Sequence, residues 1–256
     1  MTRLGHPFGG ALIFYNSMWN ILGDCMNYLK CLKGSSNPDD FVQSWAYKKE
    51  FRKLHPEYFD PDGIMVFCGP QGAGKTLSAV QYVIKLAHKY PQMVLVSNVV
   101  IDEDVLGGVK RYPYTGLHDL SKYNNGYAGV VFLIDEIQIE FNSLESKNID
   151  PVVITEIAQQ RKQRKHIVGT SQVFNRIAKP FREQFKYAVM CRNILGFLQI
   201  NALVKGEDCM VDEQGNVKTD KVKRFYWFHT PRIYQAYDTY AKIIRTNSVG
   251  YGGGKK

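Results

Sequence analysis

Residues 64–76 read Ile64-Met-Val-Phe-Cys-Gly-Pro-Gln-Gly-Ala-Gly-Lys-Thr76. Ile64–Cys68 is a short continuous apolar run, the pattern of a strand buried on both faces of a sheet. Gly69 to Gly74 reads as a loop. Gly69-Pro70-Gln71-Gly72-Ala73-Gly74-Lys75-Thr76 fills every fixed position of G-x-x-x-x-G-K-[ST]. The glycines let backbone N–H groups wrap phosphate oxygens with no Cβ in the way. The lysine reaches the β- and γ-phosphates, and the threonine hydroxyl binds Mg²⁺. Thr76 to about Tyr90 follows with Leu77, Val80, Ile84 and Ala87 at helical spacing, so the loop opens a helix whose N-terminal dipole favours an anion. A glycine turn with no ligand needs no Lys-Thr at its end.

The pattern continues outward from this unit. Met93–Ser97 predicts a second buried strand. Val130-Val-Phe-Leu-Ile134 predicts a third, closed by Asp135-Glu136. Val152–Lys165 reads as a helix, Ile167–Thr170 as a fourth strand and Tyr187–Met190 as a fifth. Strands alternating with helices imply an α/β fold with a mostly parallel central sheet. An acidic pair at the carboxyl end of a buried strand lies where such a sheet presents its ligands. Asp135 is the candidate to hold Mg²⁺ through water, and Glu136 to polarise an attacking water. The plainer reading is an N-cap for the next helix. The glycine loop upstream supplies the other half of one site and outweighs it. Thr170-Ser171-Gln172 ends the fourth strand, where a polar side chain can touch a γ-phosphate or a water.

The ends differ from this core. Residues 1–62 read as a helical appendage. They hold an amphipathic helix from about Leu12 to Leu32, a linker at Gly34-Ser-Ser-Asn-Pro38, and a second helix capped by Asp39 and Asp40. The main domain spans 63–246. At its end Phe197–Val204 and Val222–His229 predict a β-hairpin with Gln214-Gly215-Asn216 at its tip. Pro231 opens a final helix carrying Tyr234, Tyr237 and Tyr240, whose aromatic rings are expected to pack a core. Residues 247–256 form a basic, glycine-rich tail that predicts disorder.

Composition narrows the class. The 256 residues carry 33 basic and 24 acidic side chains, a formal charge of +9. Residues 161–256 hold 19 of the basic and 7 of the acidic groups, so the excess lies in the last part of the chain. That asymmetry points to a polyanion beyond the nucleotide. The five cysteines are odd in number with no C-x-x-C pair, which fits buried thiols in a reducing compartment and argues against a disulfide or zinc scaffold. No apolar run reaches the ~20 residues of a membrane span. Residues 161–192 contain Arg161, Lys162, Arg164, Lys165, Arg176, Lys179, Arg182, Lys186 and Arg192 against Glu183 alone. One arginine is a candidate finger on a neighbouring subunit's phosphate. Others are candidates to track a nucleic-acid backbone, and at least half are expected to be a solvated face.

These motifs and their order resemble the FtsK–HerA group of P-loop ATPases, and within it the Zot-like ATPases of phages. The likeness runs through Val131-Phe-Leu-Ile-Asp-Glu-Ile-Gln138, Gln160-Arg161-Lys162, Thr170-Ser-Gln172, Pro231-Arg232 and Tyr237-Asp-Thr-Tyr240, over about residues 63–246. The resemblance implies a RecA-like sheet with an additional strand between the P-loop and Walker-B strands. It implies ATP and Mg²⁺ as cofactors, a hexameric ring, and ATP-driven movement of DNA in virion packaging or extrusion. Carried over by position, Lys75 and Thr76 bind nucleotide, Asp135 binds Mg²⁺, Glu136 activates water and Gln172 is the sensor. Arg161, 11 residues before that glutamine, fits the trans-acting arginine, with Arg164 as second choice. Filamentous-phage members carry a transmembrane helix and an external domain after the ATPase. This sequence shows neither, which favours a packaging motor in the host cytoplasm or a relative recruited to a membrane or capsid by assembly proteins. Two other classes compete: a nucleotide-gated scaffold that moves no DNA, and a small-molecule phosphoryl transferase. The second has no need for Glu136 beside Asp135.

Overall fold

The computed structural model describes residues 38–60, 63–141, 151–174, 177–206, 209 and 222–237. The expected helix at 12–32, the hairpin tip at 214–216, Tyr240 and the tail lie outside the described residues. The chain divides into two compact units, Met1–His55 and Pro56–Lys256.

In the first unit, α1 spans Pro38–Leu54 with Arg52 and Lys53 in its last turn. Proline suits the first helical position, and cations suit the negative end of the helix dipole. Lys49 lies 5.0 Å from the centroid of the Trp45 ring.

The second unit is built on one eight-stranded sheet. Its elements in chain order are β1 (Ile64–Cys68), α2 (Lys75–Lys89), β2 (Val94–Ser97), β3 (Lys110–Pro113), α3 (Asp119–Lys122), β4 (Val130–Ile134), α4 (Pro151–Gln159), β5 (Lys165–Ser171), α5 (Lys179–Arg182), β6 (Phe185–Ile194), β7 (Leu198–Lys205), β8 (Lys223–Phe228) and α6 (Pro231–Gln235). The strand order is β3-β2-β4-β5-β1-β6-β7-β8. The six strands from β3 to β6 are parallel, and β7 and β8 add to them antiparallel. The α/β class and the mostly parallel sheet are therefore as the sequence implied. β5 lies between β1 and β4, the place of the additional strand of a RecA-like sheet.

Both faces of the sheet are covered, which is why β1 and β4 are uninterrupted apolar runs with every residue buried. On one face α2 packs Leu77, Val80 and Val83 on Phe67, Leu133 and Val168. On the other, Val66, Phe132 and Ile134 meet Ile157 of α4 and Phe181 of α5. Pro56–Asp60 pack in this unit: Phe59 is fully buried, donates its N–H to the Tyr127 carbonyl at 2.8 Å, and meets the Tyr90 ring edge-on. Cys68, Cys191 and Cys209 are buried free thiols. Burial pushes Cys191 up to about 12 and Cys209 up to about 11. Among the described residues no helix is long and apolar enough to cross a membrane.

Five readings change. The helix predicted over Val152–Lys165 ends at Gln159, and Arg161 and Arg164 lie in the turn that follows. β5 starts at Lys165 because its first two polar residues are buried with partners. The Lys165 ammonium reaches the Leu120 carbonyl at 2.5 Å and the Glu156 carboxylate at 3.1 Å, and His166 contacts the Gly63 carbonyl and the Tyr82 hydroxyl. β3 carries Lys110 and Arg111 on a short sheet edge and gives no apolar signal. The fifth predicted strand is the ten-residue β6, which turns through Leu195–Phe197 into β7, so the hairpin expected between β7 and β8 is preceded by a tighter one. Finally, the terminal aromatics divide. Tyr237 is buried and bridges to Ile101, while Tyr226 at 75% and Tyr234 at 48% exposure are not core residues.

Candidate active site

The loop 69–74 joins the end of β1 to α2. Gly74 caps α2 with φ 76° and ψ 27°, a left-handed conformation that a Cβ disfavours, and no side chain caps the helix. Most helices use Ser, Thr or Asp here to occupy the first N–H groups. With glycine instead, those donors and the dipole remain available to an anion. Within the loop, the Ala73 N–H donates to the Pro70 carbonyl at 3.2 Å. Lys75 is 8% exposed and its Nζ donates to the same carbonyl at 3.1 Å. Gln71 and Gly72 lie exposed at the crest.

Asp135 and Glu136 leave the end of β4 two strands away. The Thr76 hydroxyl donates to Asp135 Oδ1 at 2.9 Å, so the two motifs meet directly. The Thr170 hydroxyl, at the end of the intervening β5, donates to the same oxygen at 2.5 Å and accepts the Glu136 N–H at 2.9 Å. Asn98, just after β2, clamps the Asp135 backbone: its Nδ2 donates to the Asp135 carbonyl at 3.1 Å and its Oδ1 accepts the Asp135 N–H at 2.8 Å. Burial pushes the Asp135 carboxyl above its ordinary value, and the Thr170 and Thr76 hydroxyls oppose that shift. Glu136 has φ 54°, a left-handed backbone unusual for a glutamate. Gln138 donates to its carboxylate from Nε2, fixing a side chain that would otherwise swing.

The arrangement suits a nucleoside triphosphate and Mg²⁺. The loop ends on the uncapped N-terminus of α2, and Lys75 supplies the fixed positive charge. Thr76 and Asp135 supply one hydroxyl and one carboxylate. Among the described residues no three His, Cys, Asp or Glu side chains converge into a protein-only metal cage. Mg²⁺ matches such a sparse set, because it keeps waters and takes substrate phosphate oxygens.

The other expected residues fall in two places. Gln172 is exposed immediately after β5, on the same edge as the loop and Glu136. Arg161 and Arg164 precede β5, at the opposite edge of the sheet; at ~3.3 Å per strand residue they lie about 20 Å from the site of their own chain. Arg161 is exposed. Arg164 is committed internally: its guanidinium donates to the Phe59 carbonyl and lies 3.5 Å from the Tyr58 ring centroid. Lys165 is internal as well, and Lys179 pairs with Glu183 across one helical turn at 3.9 Å. Arg176 lies outside the described residues. Asn98 is the site residue that motif reading passed over, and Thr170 and Gln138 were quoted within motifs but not given these contacts. Their signal is positional, since each stands at or just beyond the carboxyl end of a buried strand.

No family model matches the chain, and no curated protein matches it. The chain is similar to the N-terminal domain of zonular occludens toxin from Neisseria meningitidis, at 15% identity over 69% of this chain and 98% of that one, with a TM-score of 0.47. It is also similar to the genome packaging NTPase B204 of Sulfolobus turreted icosahedral virus 2 in complex with ATP-gammaS, at 17% identity over 51% of this chain and 74% of that one, TM-score 0.40. A third similarity is to the flagellar accessory protein FlaH of Methanocaldococcus jannaschii, at 12% identity over 61% and 84%, TM-score 0.41.

Proposed function

We propose that this chain is an ATP-hydrolysing motor that moves viral DNA during virion packaging, assembly or extrusion. The observation that carries the hydrolytic half is the contact of Thr76 with Asp135 beside a Glu136 held by Thr170 and Gln138. In this reading the loop N–H groups and Lys75 bind the phosphates, and Thr76 and Asp135 would hold Mg²⁺, which would supply positive charge to the phosphates when bound. Glu136 accepts a proton from the attacking water, and Gln172 senses the γ-phosphate from the end of β5. A phosphoryl transferase needs no such water-directed carboxylate, so hydrolysis is the better fit.

DNA as the second partner rests on the resemblance to Zot-like ATPases and on the basic excess after residue 160. β8 adds support: Lys223, Arg224, Tyr226 and Phe228 are all exposed on one short strand, a mixture of cations and aromatic faces suited to a nucleic-acid strand. A ring, hexameric in the family resembled, lets the exposed Arg161 reach a neighbour's γ-phosphate. Arg164, tied to Phe59 and Tyr58, is the weaker choice. Phosphate release with and without duplex or single-stranded DNA tests the proposal. Stimulation that falls as salt rises supports it, and a rate indifferent to every DNA removes the motor in favour of the scaffold.

A further inference from the structure

A buried polar chain runs from the surface turn Leu195–Phe197 to the phosphate loop. Gln199 on β7 is fully buried. Its Nε2 donates to the Ala73 carbonyl at 2.9 Å and to Asn201 Oδ1 at 3.0 Å. Asn201 in turn donates to the Ser78 hydroxyl of α2 at 3.2 Å. The Gln199 Oε1 faces His229 Nε2 at 3.3 Å. The second ring nitrogen of His229 lies 3.1 Å from the Gly196 carbonyl and 2.5 Å from the Tyr234 hydroxyl, and that hydroxyl donates to the same carbonyl at 2.8 Å.

The proton positions follow from the inventory of donors. Two acceptors, the Ala73 carbonyl and Asn201 Oδ1, face one end of the amide, so that end is the NH₂ and uses both its hydrogens. The other end is then oxygen and faces His229 Nε2, while Nδ1 faces the Gly196 carbonyl, which only accepts, so a neutral His229 serves one of these two acceptors and the amide is held by its NH₂ end.

We propose that Gln199 is a positioning residue for nucleotide binding: it fixes the peptide unit between Ala73 and Gly74. That unit is planar and trans, so its C=O and N–H point in opposite directions. A donor on the Ala73 carbonyl therefore aims the Gly74 N–H away from Gln199 and into the loop, where it serves as a phosphate ligand. Gly74 is left-handed and carries no side chain to hold it, so the plane is set from outside the loop. The fit is close: a Cβ on Gly74 would lie 2.2 Å from Gln199 Oε1. This inference rests on the reading of residues 69–76 as the phosphate site.

The test measures the dissociation constant of a fluorescent ATP analogue together with the thermal midpoint. Wild type, Gln199→Met, Gln199→Glu and Val204→Ala, a buried core change on the same strand, are compared. Gln199→Met keeps the length but removes the donor, and Gln199→Glu keeps the shape but presents oxygen to two acceptors. The expected result is affinity weakened about 5- to 30-fold by Gln199→Met, the range of one lost buried hydrogen bond, while Val204→Ala lowers the midpoint with affinity unchanged. If Gln199→Glu does not fold, Gln199→Met and Val204→Ala decide. Wild-type affinity in Gln199→Met, or an equal loss in Val204→Ala, overturns the proposal. Absence of binding by the wild type instead overturns the phosphate-site reading itself.

Discussion

At the scale of single residues, the site places chemistry ahead of stability. Burial raises the Asp135 carboxyl above its ordinary range, so its charged form is disfavoured in the fold. The sign follows from linkage: a raised folded value contributes stability below the unfolded value and loses it as pH rises through the folded one. At neutral pH the ionised Asp135 is thus a cost. Asp135→Asn, which keeps an oxygen for Thr76 and Thr170, is expected to match or exceed the wild-type thermal midpoint while Mg²⁺-dependent hydrolysis is lost. A clear fall in the midpoint contradicts the burial argument. Glu136→Gln is expected to lower kcat by about 10²- to 10⁴-fold, the range for a general base, while nucleotide still binds; single-turnover phosphate release measures it. Lys75, Thr76, Asp135 and Glu136 were legible in the sequence because each sits at a fixed offset in a motif. Asn98 was not, and the contacts of Thr170 and Gln138 were not, because the partners of Thr170, Asn98 and Gln138 are 35, 37 and 2 residues away and only the sheet order brings the first two to Asp135.

At the scale of elements, apolar runs were readable and polar ones were not. β1, β4 and α2 follow from hydrophobic pattern. The start of β5 was hidden because Lys165 and His166 look like surface residues and are in fact buried with partners. The β6–β7 hairpin was hidden because its turn is apolar apart from a single glycine, Leu195 with φ 56° standing before Gly196 with φ 78°. One joint between elements is sharply testable. Gly129 precedes β4 with φ 73°, and a Cβ there would lie 2.1 Å from the Phe59 ring. Gly129→Ala is expected to destabilise the protein by about 2–4 kcal/mol, from backbone strain plus a displaced core ring. Denaturant unfolding checks this, and an unchanged midpoint shows that Phe59 is not fixed where the structure has it.

At the scale of the whole molecule, the charge excess separates into internal and outward-facing parts. Lys165 and Arg164 serve the fold, whereas Arg161, Lys223 and Arg224 are exposed. If Arg161 acts across a subunit boundary, two inactive variants complement each other. Lys75→Ala cannot hold nucleotide and Arg161→Ala cannot assist a neighbour. Mixed together, some boundaries join an intact loop to an intact arginine, and part of the ATPase activity returns. No recovery at any mixing ratio places Arg161 outside the reaction.

The central claim of a DNA-coupled ATP hydrolase is tested most directly by steady-state phosphate release from wild type and Glu136→Gln. Each is assayed without DNA, with duplex and with single strands, at about 50 and 200 mM salt, the range over which phosphate contacts lose affinity steeply. The account predicts Glu136-dependent hydrolysis, raised by DNA at low salt and less so at high salt. Phosphate release equal in the two proteins under every condition contradicts it.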